Sequence, residues 1–280
     1  MTKRPPVIII GMHRSGTTMV TRILEKVGLF VGWRKDPNHE SLLFLQLNEW
    51  LMRQAGATWD DPEPIRRLLG TETLRNQATR VLRDTLGGWP SLGYLGPLKF
   101  ARKRAPFALT DAWGWKDPRN TLTYPVWVDL FPGAKILHVT RHGVDVANSL
   151  VQRESRLSGT GHLSRISFLG VIGEPEIPPS RRCEALGDAF ALWEQYLAIA
   201  AKYQATCDAE LHQIRFEDFL ASPVSHLEEL AAFCGLHVTA STIEKACNGL
   251  ETERAFAYRE NPALIDFAAS MSDRLGEFNY

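Results

Sequence analysis

Between an apolar run, Val7–Ile10, and a segment with helical spacing lie eight residues, Gly11 to Thr18, reading GMHRSGTT. A strand, a Gly-bounded loop and a helix start together present unpaired backbone N–H groups and the positive end of a helix dipole. That arrangement suits a phosphate-type anion. Gly11 and Gly16 enclose four residues, the spacing of a P-loop, but the Lys expected after the second Gly is Thr17. An ordinary P-loop needs that Lys at the β/γ-phosphates and a neighbouring hydroxyl on Mg²⁺. Here the charge comes earlier, as Arg14, and two hydroxyls follow, as Thr17 and Thr18. A guanidinium is permanently charged and carries a planar fork of donors, so it can neutralise a terminal oxyanion without a metal. A ligand-free turn would explain the two glycines alone. The strand, Arg14 and the paired Thr together favour an anion held by Arg14, Ser15, Gly16, Thr17 and Thr18.

A second anion site is readable in RHGVDVANS, where Arg141 directly follows the apolar run Lys135–Thr140 and Ser149 stands eight residues on. Ligands of open parallel sheets sit beyond the carboxyl ends of the strands. Arg141 occupies such an end, and Ser149 falls on the helix that follows, so the two can reach one anion. Taken alone, an Arg at a strand end is more often a structural ion pair.

The elements that must position these residues alternate. Apolar runs at Val7–Ile10, Lys135–Thr140 and 212–216, with a shorter one near 112–115, read as buried parallel strands. Between them come helical patterns. The first carries Val20, Ile23, Leu24 and Val27 and stops at Gly28. A second, from about Glu40, carries Leu43, Leu47, Trp50 and Leu51. The longest spans about 184–206, and another, 224–234, ends at Gly235. Strands alternating with helices imply a parallel sheet covered on both faces. Residues 87–106 and 155–182 read as loops, the first with a basic cluster (Lys99, Arg102, Lys103, Arg104) best explained as a solvated face.

At 280 residues, with 32 basic and 32 acidic side chains, the chain has no global field for nucleic acid or an anionic membrane. Its four Cys (183, 207, 234, 247) are scattered and its eight His show no ligand spacing, which argues against disulfides and a metal site. The apolar run in MTKRPPVIII is too short for a signal peptide, and no stretch approaches the roughly 20 apolar residues of a membrane span. A cytoplasmic protein is expected.

Two separate anion sites are what 3′-phosphoadenosine 5′-phosphosulfate (PAPS) requires, and the chain resembles the sulfotransferase superfamily, especially its bacterial small-molecule and tyrosylprotein branches. GMHRSGTT is similar to the family's 5′-phosphosulfate loop, and Arg141 with Ser149 to its 3′-phosphate motif. WGWKDPRN at 113–120 resembles its Lys-Asp-Pro segment, and RFEDFLASP at 215–223 the stretch that closes the sheet. The resemblance implies an α/β fold of the P-loop-containing nucleoside triphosphate hydrolase-like kind, a three-layer sandwich with a central parallel sheet. It implies one sulfotransferase domain over 1–280, with loop insertions near 87–110 and 155–182. The activity it implies moves the sulfuryl group of PAPS in line to a hydroxyl or amine of a small-molecule, glycolipid or carbohydrate acceptor, releasing PAP, with no metal.

The chain departs from the cytosolic branch at three places. Met19 replaces an adenine-stacking Trp, Pro118 stands where a His base would be, and the C-terminal 3′-phosphate loop is represented only by Tyr258 and Arg259. Arg259 is carried as a third phosphate contact. Catalysis of such a transfer is mainly positioning and electrostatics. Arg14 and the loop amides would offset charge on the leaving phosphate, Lys116 would meet the bridging oxygen or sulfonate, and Asp117 and Arg119 would shape the turn. Without the His, the base is expected from Glu40, the Glu after the first helix in the related branches. His39 is its competitor, and a first-turn Glu in a helix capped by Asn38 is the plainer alternative. Trp33, Trp50, Trp89, Trp113 and Trp115 could line an acceptor pocket, although Trp is commonly core. A P-loop kinase or NTPase, or a non-catalytic nucleotide-binding homologue, are the other readings.

Overall fold

Val7–Ile10 (β1) is the hub of a parallel sheet, with Gly114–Lys116 (β2) on one side and Lys135–Thr140 (β3) on the other. Glu210–Arg215 (β4) lies beyond β3, giving the order β2-β1-β3-β4. The structure is a computed structural model and describes residues 3–158 and 180–280. Helix α1 (Thr17–Lys26) follows β1. Helices α2 (Leu42–Ala55), α3 (Glu63–Gly70), α4 (Glu72–Gly87) and α5 (Leu92–Lys103) precede β2, and α6 (Asn120–Leu130) joins β2 to β3. Helices α7 (Gly143–Ser158) and α8 (Leu186–Thr206) come between β3 and β4, and α9 (Phe216–Ala221) and α10 (Pro223–Phe233) follow β4. The chain then runs through α11 (Ala240–Cys247), α12 (Pro262–Ser270) and α13 (Ser272–Gly276).

The uninterrupted apolar run of β1 follows from burial on both faces. Ile8 and Ile10 join a core with Leu47 and Leu51 of α2, Trp127 of α6 and Trp193 of α8. Val7 and Ile9 join another with Val20, Ile23 and Leu24 of α1 and Leu227 and Leu230 of α10. Each fully buried Ile contributes roughly 1.5–3 kcal/mol. Two cores either side of one sheet make the expected three layers, and they fix the carboxyl ends of β1, β2 and β3 side by side.

Local expectations need correcting at three places. The strand near 112–115 is Gly114–Lys116, so Lys116 is a strand residue, in register with Ile9. Residues 87–106 are mostly helical, not a loop. The Gly and Pro there make a kink, for Gly96 has φ 70 inside α5 and Pro97 follows it. A Cβ at Gly96 would lie 2.8 Å from Cγ of Trp33, which fills that space. Finally, α2 begins at Leu42, after Ser41, so Glu40 is not in its first turn and Asn38 does not cap it. Asn38 donates instead to Asp36 Oδ2 at 3.2 Å. Of the expected 155–182 insertion, residues 159–179 lie outside the described residues.

Candidate active site

Three strand ends and one loop build a cleft of about 420 Å³. The loop after β1 is shaped by its own backbone. The Gly11 N–H donates to Thr121 Oγ1 at 3.0 Å. Ser15 folds the loop back by donating twice to the Met12 carbonyl, from its amide at 3.2 Å and its hydroxyl at 2.6 Å. Gly16 sits at φ 92, and its carbonyl accepts from the amides of Met19 and Val20. The amides of Thr17 and Thr18 therefore start the helix without acceptors inside it. A Cβ at Gly16 would lie 2.2 Å from Cδ2 of Phe216, so the opening residue of α9 walls this turn. Gly16, Thr17 and Thr18 line the cleft; Ser15 does not, and its hydroxyl is consumed in forming the loop.

Lys116 and Glu40 meet in the floor of the cleft. Lys116 Nζ donates to Glu40 Oε1 at 2.8 Å and to Thr18 Oγ1 at 3.3 Å, tying β2, the segment ahead of α2 and the phosphate-type loop together. Glu40 is aimed inward by a turn in which Asp36 Oδ1 accepts its N–H at 2.6 Å, with His39 at φ 60. Burial raises the Glu40 carboxyl to about 7, against the pull of Lys116 and Arg119. His39 goes elsewhere: its Nδ1 is 2.9 Å from Glu25 Oε2, and it does not line the cleft. Arg119 stands 3.9 Å from Glu40 Oε2, 3.2 Å from Glu49 Oε1 and 3.3 Å from Asp117 Oδ1, a bracing position.

Arg14 and Ser149 are joined, with Arg14 Nε donating to Ser149 Oγ at 2.8 Å. Ser149, expected to share an anion with Arg141, is thus tied to the loop after β1, and Arg141 holds two backbone carbonyls. Its Nη1 donates to the Arg14 carbonyl at 3.3 Å and its Nη2 to the Arg254 carbonyl at 2.9 Å, while Asp145 stands 3.5 Å away. Arg259 does not line the cleft in this structure. Its guanidinium lies 4.3 Å above the Phe256 ring, outside the cleft, and Arg254 is the arginine of that segment that lines it. The cleft is cationic: Arg14, Lys116, Arg141, Arg153 and Arg254, with Arg22 and Lys26 of α1, face Glu40 and Glu251. Desolvation, then Arg254, Arg141, Arg153 and Arg156, push the Arg14 guanidinium below its usual range, the signature of crowded positive charge. Such a site favours a multiply charged anion.

The sequence profile of the sulfotransferase family matches residues 5–240. The chain belongs to the sulfotransferase family. It is therefore an enzyme of sulfuryl transfer. Solved structures similar to this sulfotransferase include three from other proteins. One is a sulfotransferase domain from the curacin biosynthetic pathway, 17% identical, covering 91% of this chain and 81% of its own, with a TM-score of 0.49. Another is a sulfotransferase from Alicyclobacillus acidocaldarius, 17% identical, covering 99% and 96%, with a TM-score of 0.48. The third is a sulfotransferase domain of an olefin synthase from Synechococcus PCC 7002, 17% identical, covering 95% and 87%, with a TM-score of 0.45. No curated protein matches the chain. Among the described residues, no helix of this sulfotransferase is long and apolar enough to cross a membrane.

Four residues of the sulfotransferase site escaped sequence reasoning. Asn48, fully buried on α2, donates to Asp117 Oδ2 and to Asn120 Oδ1, each at 2.8 Å, and accepts from Thr123 and Trp127. A polar residue on an apolar helix face, between Leu47 and Leu51, was the available signal. Arg153 and Arg254 carry no local signal. His13, inside the loop, lies edge-on to Trp59, and burial followed by Arg119, Arg153, Lys116 and Arg14 hold it well below its usual pKa. None of the five tryptophans is among the described residues that line the cleft: Trp113 and Trp115 are core, Trp50 packs against the core, and Trp33 and Trp89 face solvent.

Proposed function

We propose that this sulfotransferase takes its sulfuryl group from PAPS and passes it to a hydroxyl, or an amine, of a small-molecule, glycolipid or carbohydrate acceptor. The observation that carries the reading is Lys116 Nζ held between Thr18 Oγ1 and Glu40 Oε1 in a cleft of clustered guanidiniums. The donor set suits the ligand. PAPS has anionic groups at both ends of a nucleoside, and the cleft offers cations at the loop and again beside the Glu251–Arg254 segment. The Arg141 Nε, buried and without a hydrogen-bond partner among the described residues, belongs to the second group.

Arg141 and Arg254 would grip the 3′-phosphate side with Ser149, and Arg14 with the Thr17 and Thr18 amides the phosphosulfate. Among the described residues, Arg14 keeps both η nitrogens for an oxyanion, since Ser149 engages only its Nε. Bound there, the donor supplies the sulfuryl group and leaves as PAP. Lys116 neutralises charge beside the loop. Glu40 takes the proton of the attacking hydroxyl on a carboxylate oxygen; a base matched to neutral pH suits that task. A reducing, cytoplasmic setting belongs to the same reading and rests on four scattered cysteines, all thiols. Calorimetry tests the donor. PAP should bind without Mg²⁺ and far more tightly than its analogue lacking the 3′-phosphate. Equal affinities, or a preference for Mg²⁺-ATP, would overturn the reading.

A further inference from the structure

Besides the cleft, a second part of the chain concentrates positive charge. Residues 85–110 contain Lys99, Arg102, Lys103 and Arg104 and no Asp or Glu. The same stretch projects large apolar groups into solvent, for Trp89 is 73% exposed and Leu98 79%. Trp33, 56% exposed, lies against the Gly96 kink of α5, and the Trp89 ring is 5.3 Å from that of Phe100 on the same helix. Trp33, Leu98 and Trp89 thus all stand out around one helix.

The cations interleave with them. The Arg104 guanidinium lies 5.6 Å from the centre of the Phe100 ring and the Lys99 ammonium 4.7 Å from that of Phe30, so cationic heads and aromatic rings share this region. Lys99 lies 3.7 Å from Asp111, which is itself exposed. Tryptophan and leucine flanked by Lys and Arg suit the boundary between lipid headgroups and acyl chains. A leucine that is four-fifths exposed projects rather than lining a groove, so a fluid acyl layer fits it better than a shaped protein partner.

We propose that this face, α5 with Trp33 and Trp89, docks on a bilayer that contains anionic lipid. The attraction is local, so it coexists with a balanced chain. The inference does not depend on the identity of the sulfuryl donor.

The full chain is sedimented with vesicles of phosphatidylcholine alone or of equal parts phosphatidylcholine and phosphatidylglycerol, while tryptophan emission is recorded. Binding to the anionic vesicles, weakened by salt, with a blue-shifted emission is expected, because Trp33 and Trp89 face solvent whereas Trp113, Trp115, Trp127 and Trp193 are already buried. Each cation removed near such a surface weakens partitioning about fivefold, so R102Q/K103Q should lose about 25-fold. W89S/L98S should bind less and lose most of the shift. Thermal unfolding checks that both variants keep their fold. Equal binding to neutral vesicles, binding unchanged in both variants, or capture by an acidic carrier protein with none by vesicles would each sink the proposal.

Discussion

The carboxyl of Glu40, the proposed base, sits in a balance of opposing effects. Burial disfavours its ionised form, Lys116 and Arg119 restore part of the loss, and the balance lies at about 7. A base works only when deprotonated, so kcat/KM should fall roughly tenfold per pH unit below about 7. The pH–rate profile reads this directly, and the acid limb should vanish in Glu40→Gln. That variant should lose about 10²–10⁴-fold in kcat while its affinity for PAP is retained. Near-normal turnover would remove Glu40 from the reaction. Gly16→Ala tests the loop by backbone geometry. Its φ of 92 and the 2.2 Å approach to Phe216 leave no room for a methyl group. Denaturant unfolding should record a loss of more than about 1–2 kcal/mol.

At the scale of elements, the end of β2 is held by a buried polar net rather than by packing alone. Asn48 of α2 fastens Asp117 and Asn120, and Asn120 in turn donates to the Ile9 carbonyl of β1 at 3.1 Å. Lys116 is aimed by that net. Asn48→Ala leaves the buried Asp117 Oδ2 without its donor, while Asn120, Thr123 and Trp127 each keep a second partner, and this should cost about 1–3 kcal/mol in stability. Because Lys116 would then be misplaced, kcat should drop more than KM rises. An unchanged kcat in the folded variant would show that the net serves stability only.

For the molecule as a whole, Arg141 is a clasp. It links the loop after β1, through the Arg14 carbonyl, to the C-terminal segment, through the Arg254 carbonyl. The segment is secured again where Asp145 accepts the Tyr258 N–H at 2.8 Å and the Tyr258 ring stacks on His142 at 4.4 Å. Arg141→Ala should speed amide exchange around residues 252–258 and weaken PAP binding together. The excess of cations in the cleft has a reach of its own. Association of PAP should slow markedly as ionic strength rises past about 0.1 M, where the Debye length is about 10 Å. A salt-independent on-rate in stopped flow would contradict a field-driven encounter.

The sequence by itself determined the strand Val7–Ile10, the Gly-bounded loop and α1, and the strand Lys135–Thr140, whose bounds match the structure. Periodicity and two obligatory glycines are local signals, and a strand buried on both faces writes itself as an unbroken apolar run. Tertiary structure alone decided the rest. Gly96 and Pro97 read as loop residues until Trp33 packed into the kink. Glu40 read as a first-turn residue until Asp36 and Lys116 turned it inward. The bond from Arg14 to Ser149, and the reach of Arg141 to the Arg14 and Arg254 carbonyls, are likewise set by the tertiary structure. Each outcome depends on a partner far away in the chain, and no local pattern of residues records the distance between them.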